Sequence, residues 1–142
     1  MGTREEELMK THLGHLVFHI APANANFYQD LFAFLGWTSI YDEGGVFGLT
    51  NGGQCALWFE GEANGAHNDY DGAGLNHLAI TTEKQADVDT AATYLRNKGV
   101  KLLFGTPCNR PEHADSDNHL YYSAMFASPD RILLEVVYAG PK

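Results

Sequence analysis

The chain contains an internal duplication, which limits the folds open to it more than any other feature of the sequence. Residues 13–18, Leu-Gly-His-Leu-Val-Phe, match residues 75–80, Leu-Asn-His-Leu-Ala-Ile, and the match aligns His15 with His77. Both segments are short apolar runs with β-branched or aromatic residues, which are typical of strands. Two halves that begin with the same strand predict two modules of one architecture.

A helix is predicted after the matched strand in each half. Apolar residues recur at helical spacing within residues 24–35 and 82–97, and Gly36 and Gly99 stand where a glycine often ends a helix. The interval between these glycines differs by one residue from the interval between the matched histidines. Three β-like runs then follow in each half: 37–41, 46–50 and 55–59, and 101–104, 120–126 and 132–138. Each half is therefore predicted to be a β-α-β-β-β module.

The length of 142 residues matches one ordinary domain. Module one is predicted at about residues 12–60, a linker rich in Gly, Asn and Asp at 61–73, and module two at about 74–139. Because modules of about 50 to 60 residues are marginal on their own, we expect both to pair as one α+β domain with a curved, cleft-lined mixed sheet. The copies diverge at residues 106–118, which are predicted to form a long polar loop.

The composition excludes several classes of function. Nine Lys and Arg against 18 Asp and Glu give a formal net charge of −9, which argues against nucleic-acid and anionic membrane partners. Cys55 and Cys108 are too few for a disulfide framework or a cysteine zinc cluster. Residues 1–7 lack a signal-peptide pattern, and no apolar run approaches the roughly 20 residues that span a bilayer. We therefore expect a cytoplasmic protein.

The matched histidines and one glutamate form a candidate metal site. If the modules pair about a pseudo-twofold axis, His15 and His77 become equivalent across one cleft. Glu135 is the single carboxylate in the apolar last strand, and burial there would require a partner or a cation. Two imidazoles and one carboxylate leave coordination positions open for water, oxygen or substrate. The alternatives are structural: half-buried polar histidines, and edge-strand polarity for the glutamate.

The remaining histidines are weaker candidates. His19 shares a face with the first predicted ligand and is expected to line the cleft or the core rather than to bind a metal. His113 and His119 are expected to reach the cleft only if the predicted long loop folds over it. Cys108, in the same loop, is expected to be a bystander, because no basic residue stands beside it in sequence.

These features resemble a known family. The paired modules are similar to the vicinal oxygen chelate superfamily, also called the glyoxalase/bleomycin resistance/dioxygenase family. The resemblance covers about residues 13–138 and rests on these motifs: the strand-one histidines, Phe27-Tyr28 followed by Leu35-Gly36, Arg110-Pro-Glu, and Glu135 after Ser128-Pro-Asp. It implies that the first strands and the last strand supply metal ligands, at His15, His77 and Glu135, and that the protein forms a homodimer.

The resemblance also implies a chemistry. It indicates a divalent-metal-dependent enzyme, with Fe(II), Mn(II), Zn or Ni, that binds oxygens of a small-molecule substrate in dioxygenase-like, lyase-like or transferase-like reactions. The equivalent of Glu135 in module one falls at Leu57 or Trp58, so the fourth ligand of true glyoxalase I is missing, which disfavours lactoylglutathione lyase. The three-ligand set resembles those of extradiol dioxygenases and fosfomycin-modifying transferases. Arg131 replaces the usual glycine after Pro-Asp.

Three more residues are candidates for catalytic roles. Strand alternation directs either Tyr121 or Tyr122 into the cleft, where a hydroxyl would donate to a developing oxyanion. Arg110 would pair with an anionic substrate group. Core packing for the tyrosines and a solvated loop for the arginine are the alternatives. A second hypothesis for the whole protein is metal-independent binding of a small molecule, as in bleomycin-resistance proteins, between aromatic residues such as Trp37 and Trp58.

Overall fold

The structure is a computed structural model that describes residues 8–142; the N-terminal stretch inspected for a signal peptide lies outside the described residues. The chain divides into two compact units between Asn64 and Gly65, which we call module one and module two. Neither helix within the described part of the chain has the length and apolar character needed to cross a bilayer.

Module one contains one helix and a four-stranded mixed sheet. Its elements are β1 (His15–His19), α1 (Ala25–Phe34), β2 (Thr38–Glu43), β3 (Val46–Thr50) and β4 (Ala56–Glu60). The sheet order is β1-β4-β3-β2, in which β1 runs parallel to β4 and the other pairs are antiparallel. A parallel first pair needs a crossover, and α1 together with β2 and β3 provides it.

The core of module one is an aromatic cluster around Phe59. This side chain is 2% exposed and lies on the face of β4 that packs against α1. Four ring centroids lie 4.9 to 5.9 Å from that of Phe59, those of Phe18, Tyr28, Phe32 and Phe47. Such offset and tilted pairs add to the burial of apolar area, so Phe59 is the centre of the packing in this module.

Module two repeats the architecture. Its elements are β5 (Leu78–Thr81), α2 (Gln85–Asn97), β6 (Leu102–Asn109), β7 (His119–Ala127) and β8 (Leu133–Pro141). The sheet order is β5-β8-β7-β6, again with a parallel first pair. Helix α2 buries an apolar stripe that consists of Val88, Ala91, Ala92 and Leu95. The predicted α+β fold of two β-α-β-β-β modules is confirmed.

Both helices end in the way the sequence predicts. Gly36 and Gly99 have φ of 90° and 78°, the left-handed region that glycine enters without strain. The N–H of the residue after each glycine donates to a carbonyl five residues earlier, from Trp37 at 2.8 Å and from Val100 at 2.9 Å. This pattern satisfies carbonyls at the helix end that would otherwise lack donors.

The predicted long loop at residues 106–118 is wrong in its first part. β6 continues to Asn109 after an irregularity between Leu103 and Cys108, and Cys108 pairs with Ser123 on β7. The strand continues because the side chain of buried Thr106 replaces backbone hydrogen bonds that are missing between β6 and β7. Its hydroxyl donates to the Leu103 carbonyl at 2.7 Å and accepts the backbone N–H of Met125 on β7 at 2.8 Å. Its neighbours Gly and Pro suggest a turn in sequence, whereas here they accompany a bulge.

Two buried serines on or beside the module-two sheet are expected to respond oppositely to alanine. The Ser123 hydroxyl is fully buried and lacks a hydrogen-bond partner within the described residues, so Ser123→Ala is expected to raise the free energy of unfolding by up to about 1 kcal/mol. The Ser128 hydroxyl accepts the backbone N–H groups of Asp130 and Ile132 at 3.2 and 3.1 Å, so Ser128→Ala is expected to lower it by about 1–3 kcal/mol. Urea unfolding measures both changes, and similar losses in the two variants would contradict the assignment.

Candidate functional site

A cavity of about 350 Å³ lies on one face of the module-two sheet. β7 and β8 direct alternate side chains to this face, and the register places Met125 beside Glu135. The bulged end of β6 and the short 3₁₀ turn Pro111–His113 border the cavity from the other side. The lining residues are His77, Phe104, Arg110, His113, Tyr121, Met125 and Glu135.

Glu135 is the buried acid of this cavity. Its side chain is 3% exposed in the last strand, as the sequence predicts for a carboxylate inside an apolar run. The Tyr121 hydroxyl donates to its Oε1 at 3.0 Å, and His77 Nε2 lies 3.4 Å from the same oxygen. Two of the three predicted ligands are thus adjacent. His15 lies on the exposed face of β1 in module one and is not among the residues that line this cavity.

The hydrogen bonds around His77 determine which ring nitrogen carries the proton. Asn76 Nδ2 donates to the Tyr70 carbonyl at 2.8 Å, which directs the amide oxygen Oδ1 toward His77 Nδ1, also at 2.8 Å. Because an amide oxygen only accepts, Nδ1 must be the donor. In the neutral ring, Nε2 then has a free lone pair that faces the Glu135 carboxylate oxygen. Two acceptors at 3.4 Å require a proton or a cation between or beside them.

The two adjacent tyrosines face opposite sides of the sheet. Burial, then the hydrogen bond to Glu135 and the charge of Glu135, raise the pKa of Tyr121 to about 12. Its phenol therefore remains a donor throughout the neutral and moderately alkaline range. Tyr122 instead donates to Asp89 on α2. Tyr121 thus lines the cavity, whereas Tyr122 is not among its lining residues, because alternation turns it toward the helix.

The position of Tyr122 leads to a pH-dependent stability. The hydrogen bond to Asp89, followed by burial and the charges of Asp89 and Cys108, raises its pKa to about 12. A pKa above the unfolded value of 10 stabilises the fold fully below pH 10, and this contribution is lost as the pH rises toward 12. Tyr122→Phe is expected to cost about 1 kcal/mol at pH 7 to 9, and the difference should shrink between pH 10 and 12. Urea unfolding across this range measures it; a difference that grows with pH would contradict it.

Arg110 lies at the border of the cavity, on a turn that hydrogen bonds hold in place. Its backbone N–H donates to the Tyr121 carbonyl at 2.8 Å, and its carbonyl accepts the N–H of His113 at 3.0 Å. The guanidinium Nη2 donates to the Phe104 carbonyl at 2.7 Å. The turn thus brings His113 to the cavity, where its ring lies edge-on to Tyr121 at 5.4 Å. His119 bonds to Ser116 instead and does not line the cavity.

The strand register identifies the module-one residue that is equivalent to Glu135. In module one His15 pairs with Ala56, so the residue two positions beyond its partner is Trp58. In module two, Leu78 on β5 pairs with Leu134 on β8. Extended back by one residue, this register pairs His77 with Leu133, so the residue two positions beyond the partner is Glu135. The indole of Trp58 covers Gly48, where a Cβ would lie 2.9 Å from its ring carbons. Of the two positions suggested by sequence, Trp58 rather than Leu57 is therefore the equivalent of Glu135.

Module one contains a second group of metal-binding residue types. The ligand atoms of His19, Glu60 and Glu62 lie within 4.8 Å of one another, and His19 Nε2 is 3.2 Å from Glu60 Oε1. The alternative that His19 belongs to the core is wrong, because its side chain is 58% exposed. The parallel register sets His19 beside Glu60. Sequence periodicity alone does not reveal which strands pair.

Comparison with known proteins supports the fold. No protein-family model matches the chain. Over 64 residues it is 38% identical to the uncharacterized protein YqjT of Bacillus subtilis (strain 168), and the match covers 45% of this chain and 46% of that protein. The chain thus spans about half the length of this curated relative.

Solved structures match over nearly the whole chain. A candidate glyoxalase of Bacillus halodurans has a TM-score of 0.73 at 23% identity, covering 89% of this chain and 94% of the other. A glyoxalase/bleomycin resistance protein/dioxygenase of Alicyclobacillus acidocaldarius has a TM-score of 0.61 at 16% identity, with coverages of 90% and 91%. The fosfomycin resistance protein FosX of Mesorhizobium loti has a TM-score of 0.62 at 16% identity, with coverages of 92% and 94%. The chain therefore has the fold of the glyoxalase/bleomycin resistance/dioxygenase proteins.

Proposed function

We propose that this protein is a divalent-metal-dependent enzyme that binds oxygens of a small-molecule substrate beside His77 and Glu135, in a dioxygenase-like or lyase- or transferase-like reaction. The observation that carries the proposal is the approach of His77 Nε2 to Glu135 Oε1 at 3.4 Å, with Nδ1 committed to Asn76. A metal ion accepts both lone pairs, and a histidine ligand commonly donates its other N–H to an oxygen acceptor.

The donor chemistry fits such a metal. A ligand set that combines an imidazole nitrogen with a carboxylate oxygen suits Fe(II), Mn(II), Zn and Ni better than it suits cations that prefer oxygen ligands alone. Glu135 is 3% exposed, and the ion pair formed by its carboxylate within the described residues involves His77, a group that is neutral unless protonated. A buried carboxylate without a permanent cation is costly. We propose His15 of module one as the third ligand, at the position that matches His77 in the duplicated strand.

The residues of the cavity have separate parts in this proposal. When bound, the metal supplies Lewis-acid stabilisation of substrate oxygens. Tyr121 keeps its proton and orients Glu135 through the 3.0 Å hydrogen bond. Arg110 presents its guanidinium at the border, while Phe104 and Met125 contribute apolar surface that displaces water. The neighbours described as glyoxalase/dioxygenase proteins and FosX support this class of function.

Metal analysis of two histidine variants tests the proposal. Purified protein is dialysed against Mn²⁺ or Zn²⁺ and then against buffer, and the bound metal is measured by elemental analysis. About one ion per chain is expected in the unmodified protein and in His19→Ala, and much less than one in His77→Ala. His19 is the matched control, because it belongs to the exposed group in module one. Loss of metal in His19→Ala with retention in His77→Ala would overturn the proposal.

One observation favours a second function, the metal-independent binding of a flat small molecule. Trp58 lies over Gly48 on the module-one sheet, and the Tyr41 ring centroid lies 5.7 Å from that of Trp58. Aromatic faces of this kind stack on planar ligands. An unmodified protein that retains no metal after dialysis would favour this alternative. The homodimer and the cytoplasmic location stay predictions.

A further inference from the structure

Within the part of the chain that the structure describes, no carboxylate neutralises the guanidinium of Arg110. The chain carries 18 acidic residues against nine Lys and Arg, yet within residues 8–142 no ion pair joins Arg110 to any of them. The side chain is half-buried at the border of the cavity. The hydrogen bond to the Phe104 carbonyl uses one of its five N–H donors. The others are available for a ligand.

The position of this guanidinium is fixed from two sides. Its backbone is bound to β7 through the Tyr121 carbonyl, and its side chain is bound to the carbonyl of Phe104. Phe104 has φ of 58°, a left-handed conformation that is unfavourable for a non-glycine residue and persists only where the surrounding structure enforces it. An arginine held in this way does not have to be ordered when a ligand binds, which favours affinity.

The other border residues fit an oxyanion attached to an apolar group. His113 lies edge-on to Tyr121 and lines the same cavity, so its imidazole adds a polar group to the border. Phe104 and Met125 line the cavity with apolar atoms that a hydrophobic part of a ligand would contact. Glu135, the acid of the cavity, is occupied by Tyr121 and His77.

We infer that the substrate of this site carries an oxyanion, a carboxylate or a phosphonate, on an apolar or aromatic body, and that Arg110 binds this oxyanion. The inference rests on the proposed function only in taking this cavity as the substrate site. The planar guanidinium forms paired hydrogen bonds to either oxyanion. Arg110 is then a residue that determines substrate specificity, and it is separate from the residues proposed to hold the metal.

The test uses three probes that share a phenyl ring and differ in the polar group attached to it. Benzoate, phenylphosphonate and the neutral benzamide are titrated into metal-free, chelator-treated protein, and binding is followed by the NMR shifts of the backbone amides of Phe104, Gly105 and Arg110. At least one of the two anions is expected to bind about tenfold or more tightly than benzamide, because a charge-assisted paired contact is lost in the amide. The preferred anion identifies the oxyanion. Equal affinity for benzamide, or no saturable shift with any probe, would overturn the inference.

Variants separate this inference from the metal proposal. Arg110→Gln is expected to lose anion binding about tenfold or more while retaining metal, and Glu135→Gln is expected to lose metal while retaining anion binding. Arg96→Gln, which removes the same charge from the exposed end of α2, should leave both unchanged. Anion binding that survives Arg110→Gln would overturn the inference even if the metal is present. If Arg110→Gln does not fold, the affinities of the unmodified protein for the two anions and for benzamide decide whether the inference holds.

Discussion

Replacing Glu135 with Gln is expected to weaken divalent-metal binding more than about a hundredfold, since removal of outer-shell partners alone costs 10- to 100-fold. The amide retains the size of the carboxylate and an acceptor for the Tyr121 hydroxyl, which lies 3.0 Å away. It removes the charge that faces His77 Nε2 at 3.4 Å. The dissociation constant is measured by competition with a chelating dye for Mn²⁺ or Zn²⁺.

A variant of Asn76 is expected to show a smaller loss of metal affinity in the same experiment. Asn76→Ala removes the acceptor that holds the His77 proton on Nδ1, and a loss of about 10- to 100-fold is expected. Glu62→Gln is the control, since Glu62 belongs to the exposed group in module one. Metal affinity that falls equally in Glu62→Gln and Glu135→Gln would show that the metal does not bind selectively beside His77.

Replacing Phe59 with Ala is expected to lower the free energy of unfolding of module one by about 3–5 kcal/mol. The side chain is 2% exposed and contacts the rings contributed by α1, β1 and β3. Removing it leaves a cavity that its stiff aromatic neighbours fill poorly. Since small domains have about 5–15 kcal/mol in total, this loss takes module one close to unfolding.

Tryptophan fluorescence during urea unfolding measures the free energy of unfolding of module one. Both tryptophans, Trp37 and Trp58, lie in module one. The matched control is Phe34→Ala, because Phe34 stands at the end of α1 and is 44% exposed; a loss below about 1 kcal/mol is expected there. Equal losses in the two variants would mean that the ring cluster is not the centre of this core.

Much of the fold follows from local patterns in the sequence. The strands and helices appear close to their predicted places, because each combines clear periodicity with turn residues at its ends. The glycines Gly36 and Gly99 adopt the helix-ending conformation expected of them. In module two the alternation of β7 separates Tyr121 from Tyr122, and the apolar surroundings of Glu135 produce its burial.

Other features depend on contacts between distant residues. β6 extends beyond the predicted strand because Thr106 supplies hydrogen bonds to neighbouring backbone, which no local pattern indicates. His19 meets Glu60 only through the parallel pairing of β1 with β4. Likewise, the role of Asn76 depends on the Tyr70 carbonyl that orients its amide. The position of His15 relative to the other proposed ligands stays a prediction.

The contact of Trp58 with Gly48 makes the asymmetry between the two modules difficult to reverse. A carboxylate at position 58, equivalent to Glu135, would replace the indole with a shorter side chain and leave the space above Gly48 unfilled. A larger residue at position 48 cannot come first, because its Cβ would lie 2.9 Å from the indole. Each single step is therefore expected to be destabilising. Packing around the indole thus maintains the difference between the two modules at this position.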